Sequence, residues 1–199
     1  MFPDFLENPS DVVAPLLLGC TLTRTITLNG EKHKLVARIV ETEAYDQDDP
    51  ASHAFGGFSE RNAAMFGSAG HLYVYVSYGM HHCCNVVCGS EGFGSGCLVR
   101  AVEPLEGVEV MRILREAGHA HKHPLKLHNL TNGPGKVCAA LGIDKGLYGH
   151  DLKVEPLILD FAPLLPGETI GCSPRIGISK NADALKRFFI EGNTFVSKA

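Results

Sequence analysis

Two pairs of segments along the chain alternate apolar and polar residues with the two-residue period of β-strands. Residues 21–28 and 32–42 are rich in β-branched side chains and flank Asn29-Gly30, a strong signal for a two-residue hairpin turn. Residues 71–78 and 80–87 form a similar pair around a single glycine. The pattern therefore predicts two antiparallel hairpins.

Helical spacing of apolar residues and short apolar runs predict the remaining elements. Glycine is expected to stop the first helix at Gly19 and the last at Gly142. The order of elements does not repeat a βαβ unit, so it predicts an α+β fold in one compact domain over residues 1–199. The predicted helices cover residues 11–17, 107–117 and 134–141, the additional strands cover 97–101, 157–159 and 188–190, and irregular segments cover 46–70, 91–96 and 118–129.

Composition narrows the class of protein. The chain has 199 residues, of which 45% are hydrophobic and 20% charged, as expected for one globular domain. It has no run of about 18 apolar residues, so we expect no membrane association. The first residues lack the basic and apolar regions of a secretory signal, and seven cysteines, an odd number, suit reduced thiols. We therefore predict a cytoplasmic protein.

The charge balance does not by itself suggest a nucleic-acid partner. The net charge is −4, whereas proteins that bind nucleic acids are typically basic. Acidic residues concentrate in residues 1–60, and bases outnumber acids over residues 108–153. A local basic patch is therefore compatible with the acidic total.

Two glutamates continue the apolar face of the second predicted strand. The alternation of apolar residues at 35, 37 and 39 is followed by Glu41 and Glu43, and then by Tyr45. A carboxylate that activates water must be ionised, fixed and shielded from solvent. Glu43, at the end of a strand beside an aromatic residue, fits that description. A solvent-exposed pair at a strand end explains the same residues, so both interpretations stay open at this point.

Tyrosines are concentrated in the second predicted hairpin. Tyr73, Tyr75 and Tyr78 are three of the five tyrosines in a chain that has no tryptophan. Because strand residues alternate faces, Tyr75 and Tyr78 point in opposite directions. One can line a pocket while the other stands at the hairpin tip beside Met80. The general preference of tyrosine for strands is the alternative explanation.

A cluster of histidines and cysteines at residues 81–84, with Cys88, suggests a metal site at first sight. Neighbouring strand residues alternate faces, however, so these four side chains cannot converge on one ion. The glycine-rich residues 92–96 lack the lysine and serine or threonine of a phosphate-binding loop. We therefore predict no metal site at this cluster and interpret the glycine-rich residues as a flexible loop.

Several ordered motifs together carry a resemblance to a known family. From about residue 12 to the carboxyl end, the chain closely resembles the 3-methyladenine DNA glycosylases of the alkyladenine type. This resemblance implies a mostly antiparallel, barrel-like sheet with surrounding helices and a protruding hairpin, similar to the carboxyl-terminal domain of methionyl-tRNA formyltransferases. The motifs are RIVETEAY (residues 38–45), SHA (52–54), RN (61–62), MFG (65–67), LYVY (72–75), YGMH (78–81), NV (85–86), VRAVEP (99–104), NGPGK (132–136) and PRIG (174–177).

The resemblance implies a set of catalytic residues. Glu43 matches the general base that deprotonates the water attacking the sugar. Arg100 matches the arginine that holds this carboxylate and water, and a neighbouring cation would keep Glu43 ionised. The backbone carbonyl of Ile176 matches the group that completes the water site.

It also implies a pocket for the damaged base. Tyr45, His53 and Tyr75 match the aromatic walls that stack on a base flipped out of the duplex. Such walls suit an alkylated purine because aromatic faces attract its positive charge. Asn85 matches the side chain that excludes guanine by clashing with its exocyclic amine.

The tip of the second hairpin matches the part of the family that enters DNA. Tyr78 matches the wedge that enters the minor groove and fills the gap left by the flipped nucleotide, and Met80 flanks it. An inserted side chain recovers part of the unstacking energy of the extruded base.

The resemblance thus predicts a monofunctional base-excision repair enzyme that acts as a monomer in the bacterial cytosol or nucleoid. Its partner is double-stranded DNA containing alkylated or deaminated purines, which include 3-methyladenine, 7-methylguanine, hypoxanthine and ethenoadenine. The product is an abasic site, with no strand cleavage and with no metal or organic cofactor. Residues 58–60 (FSE) depart from the family, which has a basic residue near this position. A non-catalytic nucleic-acid-binding domain of the same fold is the main alternative, and a metal-dependent hydrolase is a third.

Overall fold

One long strand, β2 (Glu31–Asp46), is the centre of the sheet in this computed structural model, which describes residues 1–117 and 125–198. The strand β1 (Thr21–Leu28) pairs with its first half through a turn at Asn29-Gly30, where φ is 52° and 85°. Positive φ at both turn residues is the geometry that tight hairpins favour, and Asn-Gly adopts it easily. The strand β5 (Ser95–Glu106) pairs along the opposite edge of β2.

The other strands extend this centre into a curled, antiparallel sheet. Within residues 1–117 and 125–198 the sheet has eight strands, six of which follow one another in the order β3-β4-β5-β2-β1-β6. β8 pairs with β2 at Glu41–Glu43, beyond the residues of β2 that pair with β1, and β7 pairs with β8. The bounds are Leu72–Ser77 for β3, His81–Val87 for β4, Leu157–Asp160 for β6, Ile170–Ser173 for β7 and Arg187–Ile190 for β8.

Helices cover the sheet and close its core. α1 (Ser10–Leu16) packs on β2 and β5, and α3 (Pro134–Leu141) packs on β4, β5 and the helix α2 (Val108–Glu116). Pro134 begins α3, where its missing N–H is harmless, and Gly142 ends it with φ of 58°. Short 3-10 helices cover Phe5–Glu7, Ala63–Phe66, Leu127–Asn129 and Lys145–Leu147.

A second, smaller apolar cluster lies apart from the main core. It is formed by Ala54, Met65, Tyr73 and Val87, with Tyr75 packed against it. This cluster joins the irregular segment after β2 to the face of the β3–β4 hairpin that carries the tyrosines. It therefore gives the long connection at residues 46–70 a fixed position over the sheet.

The α+β prediction, the two hairpins and the three helices are confirmed. β2 was predicted to end at Thr42, but it continues to Asp46 because it stays paired with β5. Glu41 and Glu43 therefore lie inside a paired strand and not at its end. β7 was not predicted, and α1 begins after Pro9 without a side-chain cap. Residues 118–124 of the predicted irregular segment lie outside the described residues.

Among the described helices, none combines the length and apolar character needed to cross a lipid bilayer.

Candidate active site

The carboxylate of Glu43 is completely buried and held on both of its oxygens. Oε1 accepts a hydrogen bond from the backbone N–H of Ile176 at 2.8 Å and lies 3.2 Å from an Nη atom of Arg100. Oε2 accepts a hydrogen bond from the Tyr45 hydroxyl at 2.8 Å. A carboxylate has about four lone-pair positions, so these contacts leave one on Oε2 for a further donor.

Arg100 on β5 joins the two glutamates of β2. Its Nε donates to Glu41 at 3.2 Å, and its Nη contacts Glu43. β2 and β5 are neighbours, and the register shifts after Ile39 and after Glu41 bring both carboxylates to one arginine. The alternative interpretation, a solvent-exposed pair, is therefore wrong, because Glu41 and Glu43 are both 0% exposed.

Arg175 packs against the face of the Tyr45 ring and fixes its position. The guanidinium carbon of Arg175 lies 4.5 Å from the centre of the Tyr45 ring, a cation–π contact. Burial and the adjacent Glu43 charge raise the pKa of Tyr45. The hydroxyl therefore stays protonated and donates to Glu43.

Arg175 is itself anchored by Asp49. An Nη atom of Arg175 lies 2.6 Å from Asp49 Oδ2 and donates to the Ala44 carbonyl at 2.8 Å. Burial alone would raise the pKa of Asp49, but hydrogen bonds from Arg175, from the Ala51 N–H and from Asn181 outweigh it and lower this pKa to about 2. Asp49 therefore remains ionised and balances the charge behind Tyr45.

Beside this cluster lies a cavity of about 180 Å³ with aromatic walls. The rings of Tyr73 and Tyr75 stack with centres 5.6 Å apart, and His53 stands nearly perpendicular to Tyr75 at 4.5 Å. An apolar cavity of about 150 Å³ accepts a benzene ring, so this space suits a flat aromatic group. The lining residues are Tyr45, Ala51, His53, Met65, Tyr73, Tyr75, Ser77, Asn85, Gly177 and Ile178.

His53 enters the cavity as a neutral ring. Burial, and then the charge of Arg61, lower its pKa below 6.5, and its Nδ1 lies 3.0 Å from the Tyr73 hydroxyl. Asn62 fixes the loop by donating to the His53 carbonyl at 2.9 Å. At neutral pH the cavity therefore presents His53 without positive charge.

Asn85 on β4 forms part of the same wall. It is 4% exposed, and its amide nitrogen lies 3.5 Å from the Tyr73 carbonyl. This contact turns the amide towards the backbone of β3, so its position at the cavity is restricted.

The tip of the β3–β4 hairpin projects two apolar side chains into solvent. Tyr78 is 82% exposed and Met80 is 75% exposed. Tyr78 and Gly79 have φ of 50° and 69°, so the turn is tight although a tyrosine occupies a left-handed position. Ser77, at the base of the tip, lines the cavity, so the hairpin connects the cavity to this exposed pair.

A larger groove of about 510 Å³ lies elsewhere and is less suited to nucleic acid. Its lining includes Asp11, Asp46, Asp48 and Asp49, with Lys186 as a basic neighbour. Such a surface repels phosphate groups. The aromatic cavity is therefore the better candidate site.

The structure brings most of the predicted site residues together. Arg100, Tyr45 and Ile176 contact Glu43, whereas Tyr78 and Met80 stand apart at the hairpin tip. Ile176 contacts Glu43 through its backbone N–H, a bond that the sequence did not predict. His53, Tyr75 and Asn85 line the cavity together with Tyr45.

Sequence reasoning gave no role to four residues that complete the site, which are Glu41, Arg175, Arg187 and Ser197. Arg175 lies in the PRIG motif (residues 174–177), which draws attention to its position, but no neighbouring residue in the sequence links it to Tyr45. Glu41 was recognised as a carboxylate, yet its partners Arg187 and Ser197 are distant in the chain.

The described residues contain no group of three or more His, Cys, Asp or Glu side chains placed to hold a metal ion. The cysteines are all free, and Cys83, one of the histidine and cysteine residues at positions 81–84, contacts Tyr75.

Comparison with known proteins agrees with the resemblance found in the sequence. The model of the methylpurine-DNA glycosylase (MPG) family matches residues 4–194. A relative from Nitrosospira multiformis is 44% identical over 195 residues, which cover 98% of this chain and 92% of the relative. A relative from Chlorobaculum tepidum is 43% identical and covers 98% and 89%, and one from Agrobacterium fabrum is 49% identical and covers 80% and 77%. Each is named a 3-methyladenine DNA glycosylase as a provisional assignment. Since the family model spans nearly the whole length, the chain belongs to the methylpurine-DNA glycosylase family.

Proposed function

We propose that the protein is a monofunctional 3-methyladenine DNA glycosylase that removes damaged purines from double-stranded DNA by hydrolysis. The observation that carries the proposal is the buried carboxylate of Glu43, held by Arg100, Tyr45 and Ile176 at the edge of an aromatic cavity. A water molecule that donates to the remaining lone pair of Oε2 would be oriented by the same carboxylate. Family membership makes this chemistry the natural use of such a site.

Glu43 acts as the general base in the proposed reaction. The oxygen of the water bonds to the anomeric carbon of the sugar, and the bond from that carbon to the purine nitrogen breaks. The electron pair of this bond leaves with the base, and Glu43 accepts a proton from the water. The negative charge of Glu43 also stabilises the positive charge that develops on the sugar. The products are the free base and an abasic site.

The cavity suits a cationic alkylpurine. Alkylation at N3 or N7 gives the base a positive charge, and the faces of Tyr45 and Tyr75 attract such a charge. His53 is neutral near pH 7 because its pKa is lowered by burial and by the charge of Arg61, so it does not repel the lesion. We assign Asn85 the exclusion of guanine, whose exocyclic amine would meet its side chain. Hypoxanthine, ethenoadenine and 7-methylguanine belong to the same proposed substrate class. 7-Methylguanine carries the same exocyclic amine as guanine, and we propose that the attraction of its positive charge to the aromatic faces offsets the clash with Asn85.

The hairpin tip is the proposed wedge. Tyr78 would enter the minor groove and occupy the gap left by the flipped nucleotide, with Met80 packed against the neighbouring bases. Among the described residues, only Met1 is a more exposed large hydrophobic side chain than Tyr78 (82%) and Met80 (75%), and the two stand together at one hairpin tip.

We propose that the reaction ends at the abasic site. Of the described residues that line the cavity, none is a lysine, so a Schiff base with the sugar has no donor there. The protein is proposed to act as a monomer, as a single domain over residues 1–199, in the bacterial cytosol or nucleoid.

The test is release of the free base from a duplex that carries one 3-methyladenine, hypoxanthine or ethenoadenine. Glu43→Gln should retain binding to the lesion and lose about 10²- to 10⁴-fold in single-turnover rate, the usual contribution of a general base. Glu31→Gln changes an exposed glutamate on the same strand and should act like the unaltered protein. Equal release by the Glu43→Gln variant would refute the proposed role of Glu43. A non-catalytic DNA-binding domain would bind the duplex and release no base.

A further inference from the structure

Arg100 contacts Glu43 from a fixed direction because a second carboxylate holds its other edge. Its Nε donates to Glu41 Oε1 at 3.2 Å while its Nη lies 3.2 Å from Glu43 Oε1. A guanidinium group is planar and rigid, so anchoring Nε fixes where Nη points. The position of Arg100 at Glu43 is therefore set by Glu41.

Glu41 accepts four hydrogen bonds, although it is fully buried. Oε1 also accepts from Arg187 Nε at 2.6 Å and from the Ser197 hydroxyl at 2.7 Å. Oε2 accepts from the Ser197 backbone N–H at 2.7 Å. With Glu43 and Arg100, the cluster holds two carboxylates and two guanidinium groups, so its charges balance. A buried charge of this kind is retained only when such partners are present.

Two of the donors to Glu41 come from the carboxyl-terminal segment. Phe195 and Ser197 are 7% and 8% exposed, and Arg187 donates through Nη to the Ser197 carbonyl at 3.0 Å. Phe195 packs in the main core, so the segment is held in place by burial as well as by hydrogen bonds. We call Glu41, Arg187 and residues 195–197 the carboxyl-terminal clasp.

We propose that the carboxyl-terminal clasp positions Arg100 for catalysis, and that Glu41 and Ser197 are positioning residues which do not touch the substrate. Among the described residues that line the aromatic cavity, none belongs to the clasp. Glu41 contacts Arg100, which in turn contacts Glu43, so we expect the effect of the Ser197 hydroxyl on the reaction to pass through Arg100. The inference rests on the proposed function, in which Arg100 holds the carboxylate that activates water.

The first variant is Ser197→Ala, which removes one hydroxyl donor to Glu41 and leaves the backbone N–H bond. One hydrogen bond to a charged group contributes enough for about a tenfold change, so single-turnover base release should fall about tenfold. Affinity for lesion DNA should change less than about threefold, because the aromatic cavity is untouched. Ser197→Thr, which keeps a hydroxyl, should restore the rate. Thr169→Ala is the control, since Thr169 makes the same hydroxyl-to-glutamate bond, at 2.7 Å to Glu191, on the exposed surface.

A double-mutant cycle separates positioning from a general structural effect. In an Arg100→Gln background, Ser197→Ala should lower the rate less than about twofold further, because the path through Arg100 is already lost. An undiminished tenfold loss in that background would overturn the inference. Glu41→Gln should lower the rate about 100-fold or more if the protein folds, and Ser197→Ala keeps the test decisive if it does not.

The outcomes also separate this inference from the proposed function. If the unaltered protein releases no base from any of the three lesions, the proposed function fails and the inference fails with it. If the unaltered protein is active and Glu43→Gln is inactive, but Ser197→Ala acts like the control, only the inference is overturned.

Discussion

Tyr78 allows stability and function to be separated in one substitution. It has φ of 50° at the tip of the β3–β4 hairpin, a conformation that costs an L-residue about 1–2 kcal/mol and glycine almost nothing. Tyr78→Gly removes this strain, while a glycine adds about 0.5–1 kcal/mol of entropy to the unfolded chain. We therefore expect the free energy of unfolding to rise by about 0.5 kcal/mol, or about 1–2 °C in Tm.

The same change should weaken base flipping. A tyrosine buries about 150–250 Å² when it is fully enclosed, and Tyr78 is 82% exposed before binding. If insertion into the duplex buries about 80 Å² of this area, at about 25 cal/mol per Å² the contact contributes about 2 kcal/mol. This value corresponds to about a 30-fold shift of the flipping equilibrium towards the stacked base.

The flipping equilibrium can be followed by the fluorescence of ethenoadenine in a duplex, which changes when the base leaves the stack. Tyr78→Phe keeps the ring and should flip like the unaltered protein. Asn29→Gly is the matched control for the backbone, because Asn29 has φ of 52° in the other hairpin turn. It should leave flipping unchanged.

Two results would refute this reasoning. If the free energy of unfolding of Tyr78→Gly falls by more than about 1 kcal/mol, the Tyr78 ring must stabilise the turn in the free protein although it is exposed. An unchanged flipping equilibrium in Tyr78→Gly would mean that Tyr78 is not the wedge.

Three further predictions follow from the site. The pKa of Asp49, lowered from 3.8 to about 2 by its hydrogen bonds against the effect of burial, contributes stability above pH 4 that is lost as the pH falls towards 2. In Asp49→Asn, the loss of about 2 kcal/mol in the free energy of unfolding over that pH range, measured by urea titration, should therefore disappear. The same pH dependence in the variant and in the unaltered protein would contradict the pairing of Asp49 with Arg175. Gly94→Ala should destabilise the protein by about 1–3 kcal/mol in thermal unfolding, because the added Cβ would lie 2.5 Å from Ala54 and 2.8 Å from Phe66. An unchanged Tm would show that the loop moves to make room for the methyl group. With a net charge of −4, the logarithm of DNA affinity should depend only weakly on the logarithm of salt concentration, and a steep slope would reveal many phosphate contacts.

The sequence predicted best where the information is local. The period-two pattern predicted that Tyr75 and Tyr78 point in opposite directions, and Tyr75 lines the cavity while Tyr78 stands exposed at the hairpin tip. Asn29-Gly30 and Gly142 act as the turn and the helix stop that their backbone freedom predicts. Such signals depend on a few neighbouring residues, so no tertiary contact is needed to interpret them.

Prediction failed where burial depends on distant partners. Glu41 and Glu43 have the charge that usually marks the end of a strand, yet β2 continues to Asp46. Arg100 and Arg187, which neutralise them, are brought there by β5 and β8. A sequence pattern counts a glutamate as polar and does not contain the guanidinium groups that make its burial favourable.

In the proposed reaction, recognition of the base and activation of water depend on the same short segment, residues 174–178. Arg175 supports one face of Tyr45, the Ile176 N–H donates to Glu43, and Ile178 lines the cavity. Tyr45 connects the cavity to the carboxylate, because its ring forms a cavity wall while its hydroxyl donates to Glu43. A base that displaces the Tyr45 ring must therefore also disturb the hydrogen bond on Oε2, the oxygen that has a lone pair left for water. A base that fits the cavity poorly should therefore also leave the Glu43 carboxylate poorly oriented. We expect selectivity for damaged purines to appear in the rate of base release more than in affinity.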